Sequence, residues 1–349
     1  MALQQNSKDT YIQLSKPYFT IKEIDYLQKS NSDLYQNIRS FKAKTQQTFQ
    51  IIINLAVKLN LPIRILQNTN YFYQRFYLLT NNYKKYSNLH FEVGLASLFI
   101  SLKLNDYIKK VSVVITEAYN LKGMYLSNSD VEENKKIIIS LERKILEFQS
   151  FDFRNFLIEE FFIKFLKNLN EEKEGGNRLL PYIGWSCLND LYLTPLVLQY
   201  PAHYNAIIAL SCSNLIFNEL VKEKIGPEPH DEVHWNTQKI LNNIKNYSFI
   251  NAGSNQLLEY FIDNLSKTFF RNSLNELNLE VDDKKLVDLL LNIKININSS
   301  VISQSLNNPT MLEDLFFKQR DTEIAKTGSL RFLYNKQKYT DEIKLYKST

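Results

Sequence analysis

His230 and His234, in the run His-Asp-Glu-Val-His, come nearest to a chemical motif in this chain: their i, i+4 spacing could put two imidazoles on one helical face beside Asp231 and Glu232. The order differs from the H-E-x-x-H of zinc peptidases. Pro227 and Pro229 just upstream mark a loop or a helix start, where the helix dipole favours acidic residues anyway, so the structural reading is preferred. Gly175-Gly176 is the only glycine pair, too little for a loop whose backbone N–H groups cradle a phosphate. Cys187 and Cys212 lie far apart with no C-x-x-C, which argues against structural zinc, and no G-x-S-x-G elbow presents a serine nucleophile. Glu159-Glu160 falls on an amphipathic helix with lysines in reach, so ion pairing is favoured over acid–base catalysis. No catalytic residue, cofactor or metal is expected.

Any partner-binding residues must then be positioned by the elements around them. With 349 residues the chain can build two domains of about 100 to 200 residues, each with its own core. Hydrophobic residues make up 44%, with 22 Phe and 21 Tyr against 8 Gly and 8 Pro, which favours long helices over a turn-rich β fold. The 42 basic and 37 acidic residues are dispersed, and the doublets Lys84-Lys85, Lys109-Lys110 and Lys135-Lys136 are far apart. That is a solvated surface, and strong direct nucleic-acid binding is not expected. The two cysteines sit in apolar helical patterns and read as free thiols of a reducing compartment. The polar start MALQQNSKDT and an apolar stretch, residues 206–217, too short to span a bilayer argue against membrane insertion.

From Phe41, positions 45, 48, 49, 52, 53, 56 and 59 follow the three-and-four spacing of an amphipathic helix. A second helix starts at Pro62 and continues through Leu66, Thr69, Tyr73, Phe76 and Tyr77. The third, residues 91–104, is apolar nearly all round, with Gly94, Ser97 and Ser101 permitting close approach of its neighbours, as suits a central helix. Further helices are expected at 111–121 and 131–149. After Asp152 the pattern restarts: helices begin at Phe156 and Arg178, then residues 206–217 repeat the small-and-large mixture of the third helix. Helices at 237–247 and 256–269 complete a second unit offset by roughly 110 residues, an internal duplication. NEEKEGGN, from Asn170 to Asn177, reads as an exposed loop. The tail holds a helix at 282–293, an Asn/Ser-rich stretch, and a strand-like alternation in residues 328–336.

The duplicated pattern and its local motifs resemble the cyclins of transcriptional kinases. NTNYFYQRFYLL from Asn68, LASLFISLK to Lys103 and LERKILEFQSFDF to Phe153 are similar to the cyclin box in order and spacing, and LNDLYLTPLVLQYPAHYNAIIALSC is similar to the cyclin T and K group. KPYFTIKEIDYLQK from Lys16, YFYQRFYLL from Tyr71 and SLRFLYNKQK in the tail are similar to the cyclin subunits of fungal kinases acting on the C-terminal domain of RNA polymerase II. The resemblance implies an all-α fold of tandem five-helix cyclin boxes: an N-terminal extension and helix at 1–40, boxes at 41–152 and 153–270, and a C-terminal extension at 271–349.

It also implies a kinase-binding surface and no reacting group. The family's lysine at the end of the third helix falls on Lys103 and its glutamate in the fifth on Glu142. Both hydrogen-bond the kinase backbone in relatives, while the flanking apolar contacts fall on Leu104, Leu146, Phe151 and Phe153. Read without the resemblance, Lys103 is a cation at a helix C-terminus and Glu142 a solvated helical residue. The family's acidic pair after the lysine is Asn105-Asp106 here, and the buried arginine and aspartate of cell-cycle cyclins would fall near Thr45 and Gln74, so that pair is missing. The implied partners are a cyclin-dependent kinase catalytic subunit, a third small regulatory subunit, and the polymerase tail as substrate, in the nucleus with a cytoplasmic pool. A general transcription factor of the TFIIB type and a non-activating cyclin-box scaffold are the alternatives.

Overall fold

The computed structural model describes residues 10–14, 18–80, 82–149, 151–153, 157–169, 179–225, 248–305 and 331–335. The chain divides into two compact units, one comprising residues 1–55, 72–154 and 314–349, the other 56–71 and 155–313. Strand β1 (Thr10–Leu14) and helices α1 (Ile21–Ser30), α2 (Ser32–Gln36), α3 (Ile38–Lys58), α4 (Ile63–Leu79), α5 (Tyr83–Tyr86), α6 (His90–Leu104), α7 (Val111–Leu121) and α8 (Asn128–Phe148) come first. Helices α9 (Ile158–Leu169), α10 (Leu179–Leu191), α11 (Leu196–Gln199), α12 (Ala202–Lys222), α13 (Ser248–Asn264), α14 (Phe269–Glu276) and α15 (Asp283–Ser305) follow, and strand β2 (Arg331–Asn335) returns to the first unit. The helix expected at 237–247, the loop at 170–177 and the His230/His234 pair lie outside the described residues.

In the first unit, α6 is the central helix that its composition predicted: from His90 to Leu102 every residue except Glu92 is buried. Its small residues set how closely α3 can lie. A Cβ added at Gly94 would come within 2.6 Å of Thr48 Cγ2, so hydrogen is the only side chain that fits without displacement. The N-terminal segment is tied on at two points. Thr20 caps α1 reciprocally with Glu23, and Asn31 Nδ2 donates to the carbonyl of Thr80 at the end of α4 at 3.1 Å. The Arg75 guanidinium lies over the Phe19 ring at 5.4 Å.

Thr45, on α3, belongs to a buried aromatic network in this unit. Tyr73 OH lies 3.3 Å from Thr45 Oγ1 and 2.6 Å from His90 Nδ1, while His90 Nε2 meets Tyr83 OH at 3.3 Å. The Tyr77 ring stacks on the imidazole at 4.6 Å and 12°. A neutral imidazole can accept from one tyrosine and donate to the other, which satisfies both ring nitrogens in a buried site. Burial, with the nearby Lys44 charge, lowers the His90 pKa to about 4.

The second unit packs α10 on α12, with Gly184 of α10 against the Phe162 ring and Ser213. Asp190, wholly buried, accepts the backbone N–H groups of Phe269 and Phe270 at 2.9 and 2.8 Å and so closes the N-terminus of α14. Cys187 and Cys212 are free and buried, and burial together with the neighbouring Cys212 thiol pushes Cys187 well above the usual thiol range. Glu159 accepts from the Tyr192 hydroxyl at 3.4 Å, and burial raises its pKa.

The all-α expectation needs one addition: β1 and β2 form an antiparallel ribbon in the first unit, with Tyr11 opposite Tyr334 and Ile12 opposite Leu333. The alternation in the tail predicts β2; the N-terminal segment that forms its partner β1 shows no such pattern. Helix α15 also runs to Ser305, twelve residues past its expected end, because Leu286, Leu290, Ile293 and Ile297 keep one face buried through the Asn/Ser-rich stretch.

Replacing Gly94 with Val should lower unfolding free energy by about 1–3 kcal/mol, as overpacking does, measured by urea denaturation. The folded state holds His90 below its unfolded pKa of 6.5, so the unfolded chain binds the extra proton between about pH 6.5 and 4. Stability from the neutral ring is complete above pH 6.5 and is lost as pH falls toward 4, at most about 3 kcal/mol. Urea midpoints of wild type and His90→Gln should therefore converge as the buffer is acidified.

Candidate functional site

Lys103 and Leu104 end α6, Glu142 and Leu146 lie on α8, and Phe151 and Phe153 follow its C-terminus. Helix α8 starts at a reciprocal cap between Ser127 and Asp130. At its other end Phe148 packs edge-on to Phe76 at 5.4 Å, and Gln149 Nε2 donates to the Phe72 carbonyl at 3.4 Å. Both anchors are on α4, so the segment after Gln149 leaves from a fixed point.

Across 39 residues of sequence, the Lys103 ammonium donates to Glu142 Oε1 at 2.6 Å. The two side chains are 65% and 15% exposed. A pair this open to water contributes about 0–1 kcal/mol to stability. Its chemistry toward a partner is larger: the ammonium has further N–H donors to offer a carbonyl, and the carboxylate has acceptor capacity for an N–H.

The apolar residues are placed by the way the two helices end. After α6 the Asp106 N–H donates to the Lys103 carbonyl and the Tyr107 N–H to that of Leu102, with Asp106 in the left-handed region at φ +53°. Asn105 Nδ2 turns back onto the Ser101 carbonyl at 2.8 Å, so half of the pair that departs from the family's acidic pattern is spent on capping. After α8 the Phe151 N–H donates to the Leu146 carbonyl at 3.0 Å, and Phe151 sits at φ +52°. Such a conformation costs an L-residue roughly 1–2 kcal/mol, yet an aromatic residue occupies it and stays exposed. Leu104 is also exposed, while Leu146 and Phe153 are half-buried.

The structure thus brings Lys103 to Glu142 and Leu146 to Phe151, and places Leu104 beside Lys103. Sequence reasoning passed over two exposed isoleucines, Ile139 on α8 and Ile108 in the turn between α6 and α7. Only the helical phase of Ile139, three residues before Glu142, could have signalled one of them. Among the described residues no group of three His, Cys, Asp or Glu side chains could hold a metal ion, and no helix is long and apolar enough to cross a membrane.

No protein-family model matches the chain. In architecture it is similar to a chain of the yeast RNA polymerase II CTD kinase CTDK-1 complex, with a TM-score of 0.62 and 22% identity over 81% of this chain and 84% of that one. The fold is the all-α cyclin fold. By sequence it is 26% identical over 270 residues to the CTD kinase subunit beta of Saccharomyces cerevisiae, covering 76% of this chain and 73% of that protein. It is 29% identical over 208 residues to the CTD kinase subunit beta of Schizosaccharomyces pombe, covering 57% and 58% of the two chains. Human cyclin-K matches at 24% over 161 residues, covering 46% of this chain and 27% of that protein. By sequence the chain is thus similar to CTD kinase beta subunits and, over less of its length, to cyclin-K.

Because Phe151 sits at positive φ, Phe151→Gly should be more stable than Phe151→Ala by about 1 kcal/mol, the reverse of the order expected inside a helix. Thermal or urea unfolding of the two variants checks it.

Proposed function

We propose that this chain is the cyclin subunit of a kinase complex: it binds and activates a cyclin-dependent kinase that phosphorylates the C-terminal repeat domain of RNA polymerase II, and so regulates transcription elongation. The observation that carries this is the homology to CTD kinase subunit beta across three-quarters of the chain. The cyclin boxes are residues 41–152 and 153–270, the location is nuclear, and a small third subunit completes the complex.

Lys103, Leu104, Glu142, Leu146, Phe151 and Phe153 form the kinase-binding face in this reading. The chain supplies no reacting group; it acts by binding one kinase conformation better than another. A kinase is competent when its catalytic lysine pairs with a glutamate on its C-helix, and a cyclin that holds that helix inward raises the competent population. Moving such an equilibrium from 1:99 to 99:1 takes about 5.5 kcal/mol of differential binding. An exposed ion pair contributes too little on its own. The apolar residues must supply most of it, at about 1.5–3 kcal/mol for each large side chain fully buried. The charged pair then fixes register.

The double substitution Lys103→Glu with Glu142→Lys keeps an ion pair within the chain and reverses its polarity toward a partner. It should leave the melting temperature unchanged within a few degrees while weakening kinase binding at least tenfold in a pull-down titration. Wild-type binding by the swapped chain would remove these residues from the interface.

A further inference from the structure

Charge is dispersed over the chain as a whole, with one exception. Between Asp33 and Glu92 there is no Asp or Glu, although the span carries eight Lys and Arg. At the chain's average of 37 acidic residues in 349, such a span would hold about six. Within the first unit its exposed cations are Arg39 and Lys42 on α3 and Lys84 and Lys85 on α5.

The fold brings the two pairs together. Arg39 and Lys42, at i and i+3, share one face of α3. Phe41, next to Lys42, turns its ring onto Tyr77, Tyr83 and His90 at 5.4, 5.7 and 5.5 Å, and Tyr83 directly precedes Lys84. Further along α3, Lys44 Nζ donates to the Ser87 carbonyl at 2.7 Å and to Asn88 Oδ1 at 3.3 Å, which pins α3 to the turn after α5. Asn82 Oδ1 accepts the Lys85 N–H at 3.1 Å and so fixes the start of α5. Among the described residues, none of the four exposed cations forms an ion pair. On α8, by contrast, Lys135 pairs with Glu132 and Lys144 with Glu147. The carboxylate at the edge of the basic surface is Asp33, half-buried on α2, which packs against α5.

Like charges held together without a counter-charge repel one another, and an anion that binds among them relieves the repulsion. Lysine and arginine free of carboxylates suit a group with several anionic oxygens. A phosphorylated serine is such a group, with about −1.5 to −2 charge at neutral pH and three acceptor oxygens. Tyr83 and Tyr86, beside the lysines of α5, are buried and offer bases no platform to stack on, which disfavours single-stranded nucleic acid. We infer that α3 and α5 form a docking surface for phosphorylated repeats of the polymerase tail, the product of the kinase that this chain serves. This rests on the function proposed above. A kinase acting on a repeat substrate leaves phosphates beside unreacted repeats. A surface that holds the first product therefore keeps the rest of the same tail at high effective concentration.

The experiment titrates the full chain with a heptad-repeat peptide, unphosphorylated or phosphorylated on serine, and with a single-stranded RNA of similar length. The variants are Arg39→Glu with Lys42→Glu, Lys84→Glu with Lys85→Glu, and, as a control of equal charge change on α8, Lys135→Glu with Lys136→Glu. Wild type should bind the phosphorylated peptide at least tenfold more tightly than the unphosphorylated one. Each of the first two variants should lose at least tenfold of that affinity with wild-type melting curves, while the control keeps it. Equal binding of the two peptides overturns the inference, as does equal loss in the control, which would reflect net charge alone. Tighter binding of the RNA through the same cations also overturns it. Activation of the separately expressed kinase subunit on a single-repeat peptide is measured in parallel, and the first two variants should activate as wild type does. If wild type activates but does not select the phosphorylated peptide, only the docking surface is lost. If wild type does not activate, the cyclin reading fails and the inference with it.

Discussion

The first unit depends on one constraint: α6 has no polar face, so other helices must cover it on all sides. Burial from His90 to Leu102 removes nearly all freedom to rotate or slide, because any shift drives Leu95, Leu98 or Phe99 into occupied space. Gly94 sets the approach of α3, and the His90 network fixes the N-terminal end. At the one partly exposed position within that span, Glu92 Oε1 lies 3.3 Å from the Tyr119 hydroxyl, which is also 2.6 Å from Asn134 of α8. The C-terminal end of the helix is the part that emerges, and Lys103 is the first exposed residue there.

Helix ends complete the arrangement, in a chain short of glycine. Among the described residues, Asn60, Asp106, Lys224 and Asn278 adopt left-handed backbone at helix C-termini closed by the same pair of hydrogen bonds, and Gly123 does so after α7. Asn and Asp tolerate this conformation better than other L-residues. Lys224 and Phe151 are the exceptions among the described residues, and Phe151 is at the candidate site. Its strain is consistent with a role for the ring that a glycine could not fill.

Much of this was legible in the sequence, for identifiable reasons. The five long helices of the first unit follow from apolar periodicity, and α7 matches its expected limits because Val114, Ile115, Ala118 and Tyr119 form one clear face. Lys103 and Glu142 both fall at the family's spacing in the sequence, and the structure places them 2.6 Å apart. Short elements escaped: α2, α5 and α11 are too brief to show a period. The length of α15 escaped because Asn and Ser argue against helix while its buried isoleucines override them. Pairing of β1 with β2 joins residues some 320 apart, and no local pattern encodes that. The exposure of Ile108 was also invisible, since an isoleucine beside a helix end reads as core until its surroundings are known.

The central claim is activation by conformational selection, and kinase activity on a heptad-repeat peptide tests it most directly. With the isolated kinase subunit at fixed concentration, adding the purified chain should raise the rate of phosphorylation by orders of magnitude and saturate at one chain per kinase. A kinase that binds the chain with no change in rate would contradict the account and leave only a scaffold.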